Sequence, residues 1–529
     1  MAKDNDMMPM HNESPSRYAD RLGVHYSGTI NQDHKKSHGQ FFTPNAIAAL
    51  MGQFAECRQA QLRILDPGCG TAILTCSLIE SLLQRGQIIE SLSLVAYETD
   101  KRLTPYTRMT LDYLKIWLAK YNVSFEFDLR TVDFVLDQAH CLNDEGSLFD
   151  KSIELFDLVI SNPPYFKLSI DDKRAIAAKA IINGHPNIYS TFMAIAAKVL
   201  KPNGQLIFIT PRSYASGSYF KLFREFFFRI VEIDRVHLFV SRKDTFVRDK
   251  VLQETVIIKG RRVPTVNPNH QVVVQASHGL RDIDSPVKKV FLQKDLIDIH
   301  SNEKILYLPT TDADESVLDI VRRWNGTLSN YNIHVSTGPV VAYRAWDFIT
   351  DGSEDDRSML APLFWLHNVR PMALEWPIAK PEKGQYIQIH HETRSILIPN
   401  KNYVLLRRFS SKDDKSRLIA APYFSHYLHV PFIGVENKVN YIYRKGGHLD
   451  RNEVVGLCAL LNSQLFDTYF RIFNGNVNVS ATELREMRLP DLAEIRMIGE
   501  RIILSNDFST EHANTIISEC FNFENQIVQ

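Results

Sequence analysis

The tetrapeptide Asn162-Pro163-Pro164-Tyr165 follows the apolar run Phe156–Ile160 after one residue, Ser161, which predicts that it lies at the end of a buried strand. Proline has no backbone N–H, so this segment leaves carbonyl oxygens free to accept hydrogen bonds. The Asn162 side-chain oxygen and the Pro163 carbonyl can together hold both hydrogens of an exocyclic amine. The ring of Tyr165, rather than its hydroxyl, offers a flat surface for stacking a base. The motif favours methylation of a planar, weakly nucleophilic nitrogen, although the same tetrapeptide also occurs in ordinary turns.

A glycine-containing turn lies upstream, at Asp66-Pro67-Gly68-Cys69-Gly70, between an apolar strand-like run and the amphipathic stretch Ala72–Leu83. A strand, a glycine turn and a helix in this order let a ligand approach the backbone at the carboxyl end of the first strand of a doubly wound sheet. The spacing differs from the Gly-x-Gly-x-x-Gly fingerprint, and Asp66 precedes the glycines. This favours S-adenosylmethionine (AdoMet), which has no phosphate to seat on a helix N-terminus, over a dinucleotide.

Two further acids follow predicted strands. Glu98 comes after Ser93–Tyr97, where a carboxylate can accept hydrogen bonds from both ribose hydroxyls. Asp133 follows Ser124–Val132 and precedes Phe134, and this pair suits an adenine amine and ring face. Each acid has an ordinary alternative, since Asp66 can be a helix N-cap, Glu98 a surface acid and Asp133 a turn former. Their order along the chain, each at a predicted strand end, favours an AdoMet site.

With these motifs the chain resembles the gamma class (TaqI type) of DNA adenine-N6 methyltransferases from type II restriction–modification systems. The resemblance covers about residues 37–262 and includes the segment His38-Gly39-Gln40-Phe41-Phe42-Thr43-Pro44, which leads into a predicted helix from Asn45 to Phe54. It implies that Phe41 and Thr43 contact the methionine end of AdoMet. The residues that it matches to cofactor binding are Phe41, Thr43, Asp66, Gly68, Gly70, Glu98, Asp133 and Phe134. Those that it matches to catalysis are Asn162, Pro163, Pro164 and Tyr165.

The resemblance also implies an aromatic residue opposite the catalytic tyrosine, packed against a flipped adenine. Phe246 is the first candidate and Phe239 its rival, and either can instead be a core residue. The implied activity is sequence-specific methylation of adenine N6 in duplex DNA, which would protect that DNA from a cognate restriction endonuclease. The implied cofactor is AdoMet, with no metal. We expect a monomer or weak dimer.

The alternation of strands and helices, ending in an antiparallel hairpin, predicts an α/β fold with a Rossmann-like, seven-stranded class I methyltransferase sheet over residues 37–265. Residues 1–36 are polar and predict a flexible N-terminal lead-in. The segment Val263–Asn269 has two prolines and two asparagines and predicts a linker. Residues 266–529 then predict a mixed α+β target-recognition domain, closed by helices at Asn452–Phe470 and Glu511–Phe523.

Composition limits the function in other ways. The 529 residues carry a formal net charge of zero, but residues 201–262 hold 13 Lys or Arg against 6 Asp or Glu. Such an excess is often only a solvated surface; its position after the catalytic motif favours contact with phosphates. The basic residues that the excess includes near Phe246 are Arg242, Lys243, Arg248 and Lys250. No apolar run reaches membrane-spanning length, which predicts a cytoplasmic protein without membrane contact. The six scattered cysteines predict neither a zinc site nor a disulfide framework.

Other substrates remain open at this point. Methyltransferases of guanine N2 in RNA and of protein glutamine also use Asn-Pro-Pro-Tyr, and cytosine N4 methylation uses the same geometry, more usually with Ser in place of Asn162. Cytosine C5 methylation needs a cysteine nucleophile in a Pro-Cys pair, which is missing from this region. A DNA-binding module without catalysis is the non-enzymatic alternative.

Overall fold

The computed structural model describes residues 7–523 except 32, 35–41, 58, 143–152, 183–185, 241–253, 299–302, 353–356, 379, 381–382, 411–414 and 476–477. The chain divides into two compact units, Met1–Thr310 and Thr311–Gln529. Within the described part, every helix is too short or too polar to cross a bilayer.

The first unit is built on a nine-stranded sheet. Its strands are β1 (Gln61–Pro67), β2 (Ser91–Tyr97), β3 (Ser124–Arg130), β4 (Phe156–Ser161), β5 (Leu200–Pro211), β6 (Val231–Phe239), β7 (Thr255–Arg262), β8 (Gln271–Ser277) and β9 (Val287–Leu292). The central strands are near-continuous apolar runs because both of their faces are covered. In β1, for example, Ile64 and Leu65 are both buried and point to opposite faces of the sheet.

The strand order is β3-β2-β1-β4-β5-β7-β6-β8-β9. The strands β1 to β5 pair in parallel, and β7 runs antiparallel to both β5 and β6. The sheet has nine strands rather than the seven expected. The two additional strands are β8, which pairs in parallel with β6, and β9, which pairs antiparallel with β8. The Pro- and Asn-rich segment Val263–Asn269 connects β7 to β8 inside one unit. The boundary expected at residues 265/266 thus lies later, between Thr310 and Thr311.

Helices cover both faces of this sheet. They are α1 (Pro15–Thr29), α2 (Asn45–Phe54), α3 (Ile73–Gln84), α4 (Thr104–Ala119), α5 (Phe134–Gln138), α6 (Lys173–Ala177), α7 (Ile188–Lys198), α8 (Lys221–Ile230) and α9 (Gln293–Leu296). The side chains of α2, α3 and α4 share one apolar core with Ile64 and Leu158. Those of α7 and α8 share the opposite core with Leu65 and Val159.

Helix α1 lies within the stretch expected to be a flexible lead-in, so that expectation is wrong for these residues. Ser14 caps the helix and Pro15 occupies its first position, which is a common helix start. Tyr18, Leu22 and Tyr26 recur every four residues and are each 1% exposed. Polar residues separate the members of this apolar stripe, so the average composition of the segment is polar. The helical spacing of the three apolar residues, and not the composition, indicates the helix.

The second unit mixes short strands and helices. Its strands form a four-stranded sheet, β10-β20-β17-β18, a five-stranded sheet, β11-β15-β12-β19-β16, and the pair β13-β14. They are β10 (Ile333–Thr337), β11 (Ile349–Thr350), β12 (Leu360–Phe364), β13 (Val369–Arg370), β14 (Ala373–Leu374), β15 (Tyr386–Gln388), β16 (Ile398–Pro399), β17 (Tyr403–Arg407), β18 (Ala420–Tyr423), β19 (Phe432–Val435) and β20 (Val439–Arg444).

The helices of this unit are α10 (Asp312–Arg322), α11 (Arg451–Asn462), α12 (Gln464–Phe473), α13 (Ala481–Glu486), α14 (Leu492–Ser505) and α15 (Thr510–Phe521). The single helix expected over Asn452–Phe470 is two helices. Ser463 has extended backbone angles between them, and its hydroxyl accepts a hydrogen bond from the N–H of Phe466 at 3.2 Å. A residue that caps a new helix also ends the previous one.

Candidate active site

The carboxyl ends of β1, β2 and β4 meet at one edge of the first unit's sheet, because these strands are parallel neighbours. The strand order reverses between β1 and β4, which is the position where open α/β sheets bind ligands. A cavity of about 170 Å³ lies at this edge. Its lining is Phe42, Gly68, Gly70, Tyr97, Glu98, Thr99, Leu103, Val132, Asp133, Phe134, Asn162, Pro164, Phe166, Arg174, Ile188 and Phe192.

The glycine turn after β1 forms one wall of the cavity. Gly68 and Gly70 have φ angles of 75° and 56°, which glycine adopts without a steric cost. The N–H of Gly70 donates to Glu98 Oε2 at 3.1 Å, and its carbonyl accepts from the Thr107 hydroxyl at 2.6 Å. A Cβ added at Gly68 would meet Phe192 at 3.6 Å. The turn is therefore fixed by its own contacts and brings bare backbone to the cavity.

Glu98 presents a carboxylate to the cavity although the residue is only 8% exposed. Its Oε1 accepts a hydrogen bond of 2.7 Å from the backbone N–H of Asp100. Burial, followed by the like charge of Asp100, raises the pKa of Glu98 to about 7 despite the hydrogen bonds from the backbone. The predicted ribose acid therefore lies where a ligand can reach it, and it is held by backbone donors.

Asp66 does not line the cavity. It is fully buried below the turn, where its Oδ2 accepts a hydrogen bond of 2.7 Å from the Thr75 hydroxyl in the first turn of α3. Burial raises the pKa of Asp66 to about 7, and the nearby Glu98 adds to the shift. The observed role of Asp66 is thus to join the end of β1 to the start of α3.

Asp133 and Phe134 both line the cavity. Asp133 is also the N-cap of α5, since its Oδ1 accepts from the N–H of Leu136 at 3.0 Å; this structural role differs from the turn former that the sequence suggested. Its Oδ2 lies 3.7 Å from a guanidinium nitrogen of Arg174. The ring of Phe134 is buried edge-on against Tyr97, with 5.1 Å between centroids. Asp133 and Phe134 therefore both border the cavity, and their contact with an adenine stays a prediction.

The predicted catalytic motif begins where β4 ends. The buried Ser161 hydroxyl donates to the Pro67 carbonyl at 2.6 Å and so joins the ends of β4 and β1. Asn162 Nδ2 donates to the Thr43 hydroxyl at 3.0 Å, and Asn162 Oδ1 accepts from the Tyr165 hydroxyl at 2.6 Å. Thr43 is 4% exposed and is not part of the cavity lining. Its observed contact is with Asn162.

Tyr165 and Pro163 do not line the cavity, whereas Asn162 and Pro164 do. The Tyr165 hydroxyl lies 3.0 Å from the Ile209 carbonyl, and its ring meets Tyr189 edge-on at 6.2 Å. Burial raises the pKa of Tyr165 well above its usual value, so the hydroxyl keeps its proton and acts as a donor. The expectation that only the ring matters left out this contact to Asn162.

Two predicted aromatic contacts, Phe41 and Phe246, lie outside the described residues. Phe239, the rival of Phe246, is completely buried in the core, with its ring 4.6 Å from that of His237. It is a packing residue. Phe42, the neighbour of Phe41, lines the cavity. Nothing in the sequence distinguishes these two adjacent phenylalanines.

Sequence reasoning missed several further wall residues, among them Arg174 and Phe192. Arg174 is held by Asp172, with contacts of 2.9 and 2.6 Å to its two oxygens, and its guanidinium lies 5.3 Å from the ring centre of Phe166. Phe192 follows Ile188, which also lines the cavity, by one turn of α7. The four-residue spacing places both side chains on one face of the helix. This spacing could have indicated from the sequence that they line the same wall.

Most described cations of the basic stretch 201–262 pair with carboxylates, and some of them are buried. Arg212 and Arg224 are 3% and 0% exposed and pair with Glu254 and Glu303 at 3.1 and 3.2 Å. Other described cations of this stretch that pair with carboxylates are Lys201, Lys221, Lys259 and Arg261. The expected phosphate contact is not supported for these side chains. Arg242, Lys243, Arg248 and Lys250 lie outside the described residues.

Comparison with known proteins places the chain among restriction–modification enzymes. Residues 89–246 match the Eco57I restriction-modification methylase family. The type II methyltransferase M.PstI of Providencia stuartii is 30% identical over 95% of this chain and 96% of its own length. M.BsuBI of Bacillus subtilis is 32% identical over 89% and 91%. A type I restriction-modification methyltransferase subunit of Streptococcus thermophilus matches 57% of this chain and 66% of its own, with 17% identity and a TM-score of 0.36. Because M.PstI and M.BsuBI match nearly the whole chain at 30% identity or more, the chain belongs to the family of type II restriction–modification methyltransferases.

Proposed function

We propose that this protein transfers a methyl group from AdoMet to the N6 amine of an adenine flipped out of duplex DNA. The observation that carries the proposal is the position of Asn162. Its carboxamide is held by Thr43 and Tyr165 and borders a cavity that also contains the Gly68–Gly70 turn and Glu98. A hydrogen-bonding group for an amine thus adjoins a pocket suited to a nucleoside cofactor.

The residues around the cavity fit the parts of AdoMet. Glu98 can accept hydrogen bonds from two ribose hydroxyls, and Asp133 can accept one from an adenine amine. Phe134 and Phe192 provide apolar walls for the adenine ring, and bare backbone at Gly68 allows close approach. A glycine turn without a phosphate fingerprint fits a cofactor that lacks phosphate.

The chain's own residues would prepare the amine. Its lone pair is delocalised into the adenine ring, so it attacks weakly. Hydrogen bonds from the amine to Asn162 Oδ1 and to the Pro163 carbonyl favour a more tetrahedral nitrogen with a localised lone pair. AdoMet, when bound, supplies an electrophilic methyl group on a sulfonium. Holding the two reacting atoms in line can lower the barrier by several kcal/mol.

The base must leave the duplex to reach Asn162, at a cost of about a few kcal/mol. Stacking on the Tyr165 ring, together with enclosure, would offset this cost. We assign Phe246 the opposite face of the base, as the family resemblance implies. Methylation at a defined site would protect DNA from a cognate restriction endonuclease, in keeping with the type II systems named for the two long relatives.

We further propose that the second unit recognises the target sequence. Its surface carries a short stretch with exposed aromatic and cationic side chains. Tyr343 and Trp346 are 75% and 54% exposed, and Arg344 is exposed between them. Arginine can contact phosphates or make bidentate contacts to guanine, and exposed rings can stack on bases.

Methyl transfer from radiolabelled AdoMet, followed by digestion of the product to nucleosides, tests the proposal. Unmethylated duplex DNA, RNA and protein serve as parallel substrates. We expect label in N6-methyldeoxyadenosine alone. Label in N4-methyldeoxycytidine would keep the site and change the base, whereas label only in RNA or protein would overturn the role of the second unit as a DNA reader.

A further inference from the structure

Helix α1 contacts the loop that carries the proposed ribose acid. The Tyr26 hydroxyl, on the last turn of α1, donates a hydrogen bond to Asp100 Oδ2. His34 Nε2 lies 2.8 Å from the same oxygen. Asp100 itself is 4% exposed. Its side chain is therefore buried and is held by residues of the N-terminal segment. Tyr26 lies 74 residues before Asp100 in the sequence.

Asp100 in turn holds Glu98. The backbone N–H of Asp100 donates to Glu98 Oε1 at 2.7 Å, while the N–H of Gly70 donates to Oε2. Asp100 Oδ1 also accepts from the N–H of Arg102 at 3.0 Å, so the loop after β2 is organised around this one carboxylate. A buried carboxylate with several donors keeps one orientation, and it thereby fixes the direction of its own backbone N–H.

The same helix also lies against the cavity wall. The Tyr26 ring meets the ring of Phe42 edge-on, with 6.1 Å between centroids, and Phe42 lines the cavity. A Cβ added at Gly23 would lie 3.4 Å from Phe42 and 3.5 Å from the Thr71 hydroxyl. Helix α1 thus packs closely on two parts of the predicted cofactor site, the glycine turn and the segment before α2.

We propose that Tyr26 is a positioning residue for AdoMet, which acts through Asp100 to hold the Glu98 carboxylate towards the ribose. This inference rests on the proposed function, since it assumes that the cavity binds AdoMet. The Tyr26 hydroxyl touches neither the cavity nor the reacting atoms. Its loss should therefore weaken cofactor binding without slowing methyl transfer at saturating AdoMet.

Tyr26→Phe tests the proposal, with Tyr18→Phe as the matched control. Tyr18 lies on the same helix and is equally buried, but its hydroxyl donates to the Met7 carbonyl at 2.8 Å. We expect Tyr26→Phe to raise the AdoMet Kd, measured by calorimetry, about tenfold, as for loss of a hydrogen bond to a charged group. Its kcat at saturating AdoMet should stay within about twofold. Tyr18→Phe should leave the Kd unchanged.

A double-mutant cycle separates positioning from general stability. In a Glu98→Gln background, Tyr26→Phe should add nothing further to the AdoMet Kd, because the group it orients has already been altered. Full additivity, an unchanged Kd in Tyr26→Phe, or equal weakening in both tyrosine variants would each overturn the proposal. If Tyr26→Phe does not fold, Asp100→Asn replaces it, with the same expected rise in Kd. Wild-type protein that binds no AdoMet would instead refute the proposed function itself.

Discussion

In the loop after β4, Asn162 and Tyr165 form one hydrogen-bonded unit. The Tyr165 hydroxyl donates to Asn162 Oδ1 at 2.6 Å, and Thr43 accepts from Asn162 Nδ2. These two contacts orient the carboxamide, with its oxygen on the tyrosine side. A carbonyl oxygen has two lone pairs, so Asn162 Oδ1 can still accept a hydrogen bond from a substrate amine. We therefore propose two separable roles for Tyr165, a ring that stacks on the base and a hydroxyl that holds Asn162.

Substitutions at Tyr165 separate these roles. We expect Tyr165→Phe to lower kcat about tenfold, because it keeps the ring and loses one hydrogen bond. Tyr165→Ala loses both and should lower kcat about 100-fold or more. Steady-state kinetics on duplex DNA measure the difference. Equal damage from both substitutions would contradict the stacking role, and full activity of the Phe variant would contradict the orienting role.

The raised pKa of Glu98 predicts a pH dependence of cofactor binding. Its two oxygens can both act purely as acceptors for the ribose hydroxyls only when the carboxyl is ionised, and burial raises the pKa of Glu98 to about 7. AdoMet affinity should therefore be constant at high pH and fall as the pH drops through 7, by up to about tenfold per unit. Calorimetry from about pH 8 to about pH 6 measures this slope.

Glu98→Gln is the control, because Asp66 also has a pKa of about 7 and is coupled to Glu98. This variant should bind AdoMet more weakly and without the slope. A slope that survives in Glu98→Gln would assign the titration to another group. The sign for folding is opposite to that for binding. Two acids with raised pKa values bind protons more strongly in the folded protein, so its stability should decrease as the pH rises from about 4 to 7.

At the level of elements, local sequence patterns predicted those parts of the site that depend on neighbouring residues. The apolar run Phe156–Ile160, followed by Asn-Pro-Pro-Tyr, matches β4, Phe156–Ser161, and helix α2 spans Asn45–Phe54 as expected. Glu98 and Asp133 follow their strands, and both line the cavity. Strand periodicity and turn residues are local properties, so one sequence is enough to read them.

Contacts between distant segments were not predictable in this way. Thr43 and Asn162 are 119 residues apart, and Tyr26 and Asp100 are 74 apart. The partners of the cations after residue 200 are equally remote, for example Lys259 and Glu56. Whether a basic residue faces DNA or neutralises an internal carboxylate depends on the fold. This is why the charge count alone suggested phosphate contacts, whereas six of the described cations pair with carboxylates.

Thr43→Val tests the element that joins the start of α2 to the catalytic loop. Valine keeps the shape of threonine but cannot accept from Asn162 Nδ2. We expect kcat to fall about tenfold, because the carboxamide loses one of its anchors. The AdoMet Kd should stay within about threefold. A large rise in Kd with normal kcat would instead support direct contact with the methionine end of AdoMet, and thermal unfolding checks that the fold is retained.

For the molecule as a whole, we propose that the first unit carries out methyl transfer and that the second unit recognises the target sequence. A net charge of zero fits this division, since DNA contact then depends on local surfaces. In the second unit, the described candidate is the exposed stretch with Tyr343, Arg344 and Trp346.

Arg344→Ala should weaken DNA binding and, if Arg344 contacts a phosphate, reduce the salt dependence of log Kd by about one. Arg322→Ala is a matched control, since Arg322 is an exposed arginine of the same unit that pairs with Asp319 at 3.0 Å. Fluorescence anisotropy with a DNA duplex at several salt concentrations measures both. Unchanged affinity in Arg344→Ala would remove this stretch from the interface. An unchanged slope with lost sequence preference would indicate base contact.

The most direct test of the central claim is single-turnover methyl transfer to duplex DNA by Asn162→Ala, with AdoMet binding measured on the same preparation. We predict that transfer falls at least about 100-fold, because the amine loses the acceptor that localises its lone pair. The AdoMet Kd should change by less than about threefold. Undiminished transfer by the variant would contradict the account, because the amine would then not depend on the asparagine at the end of β4.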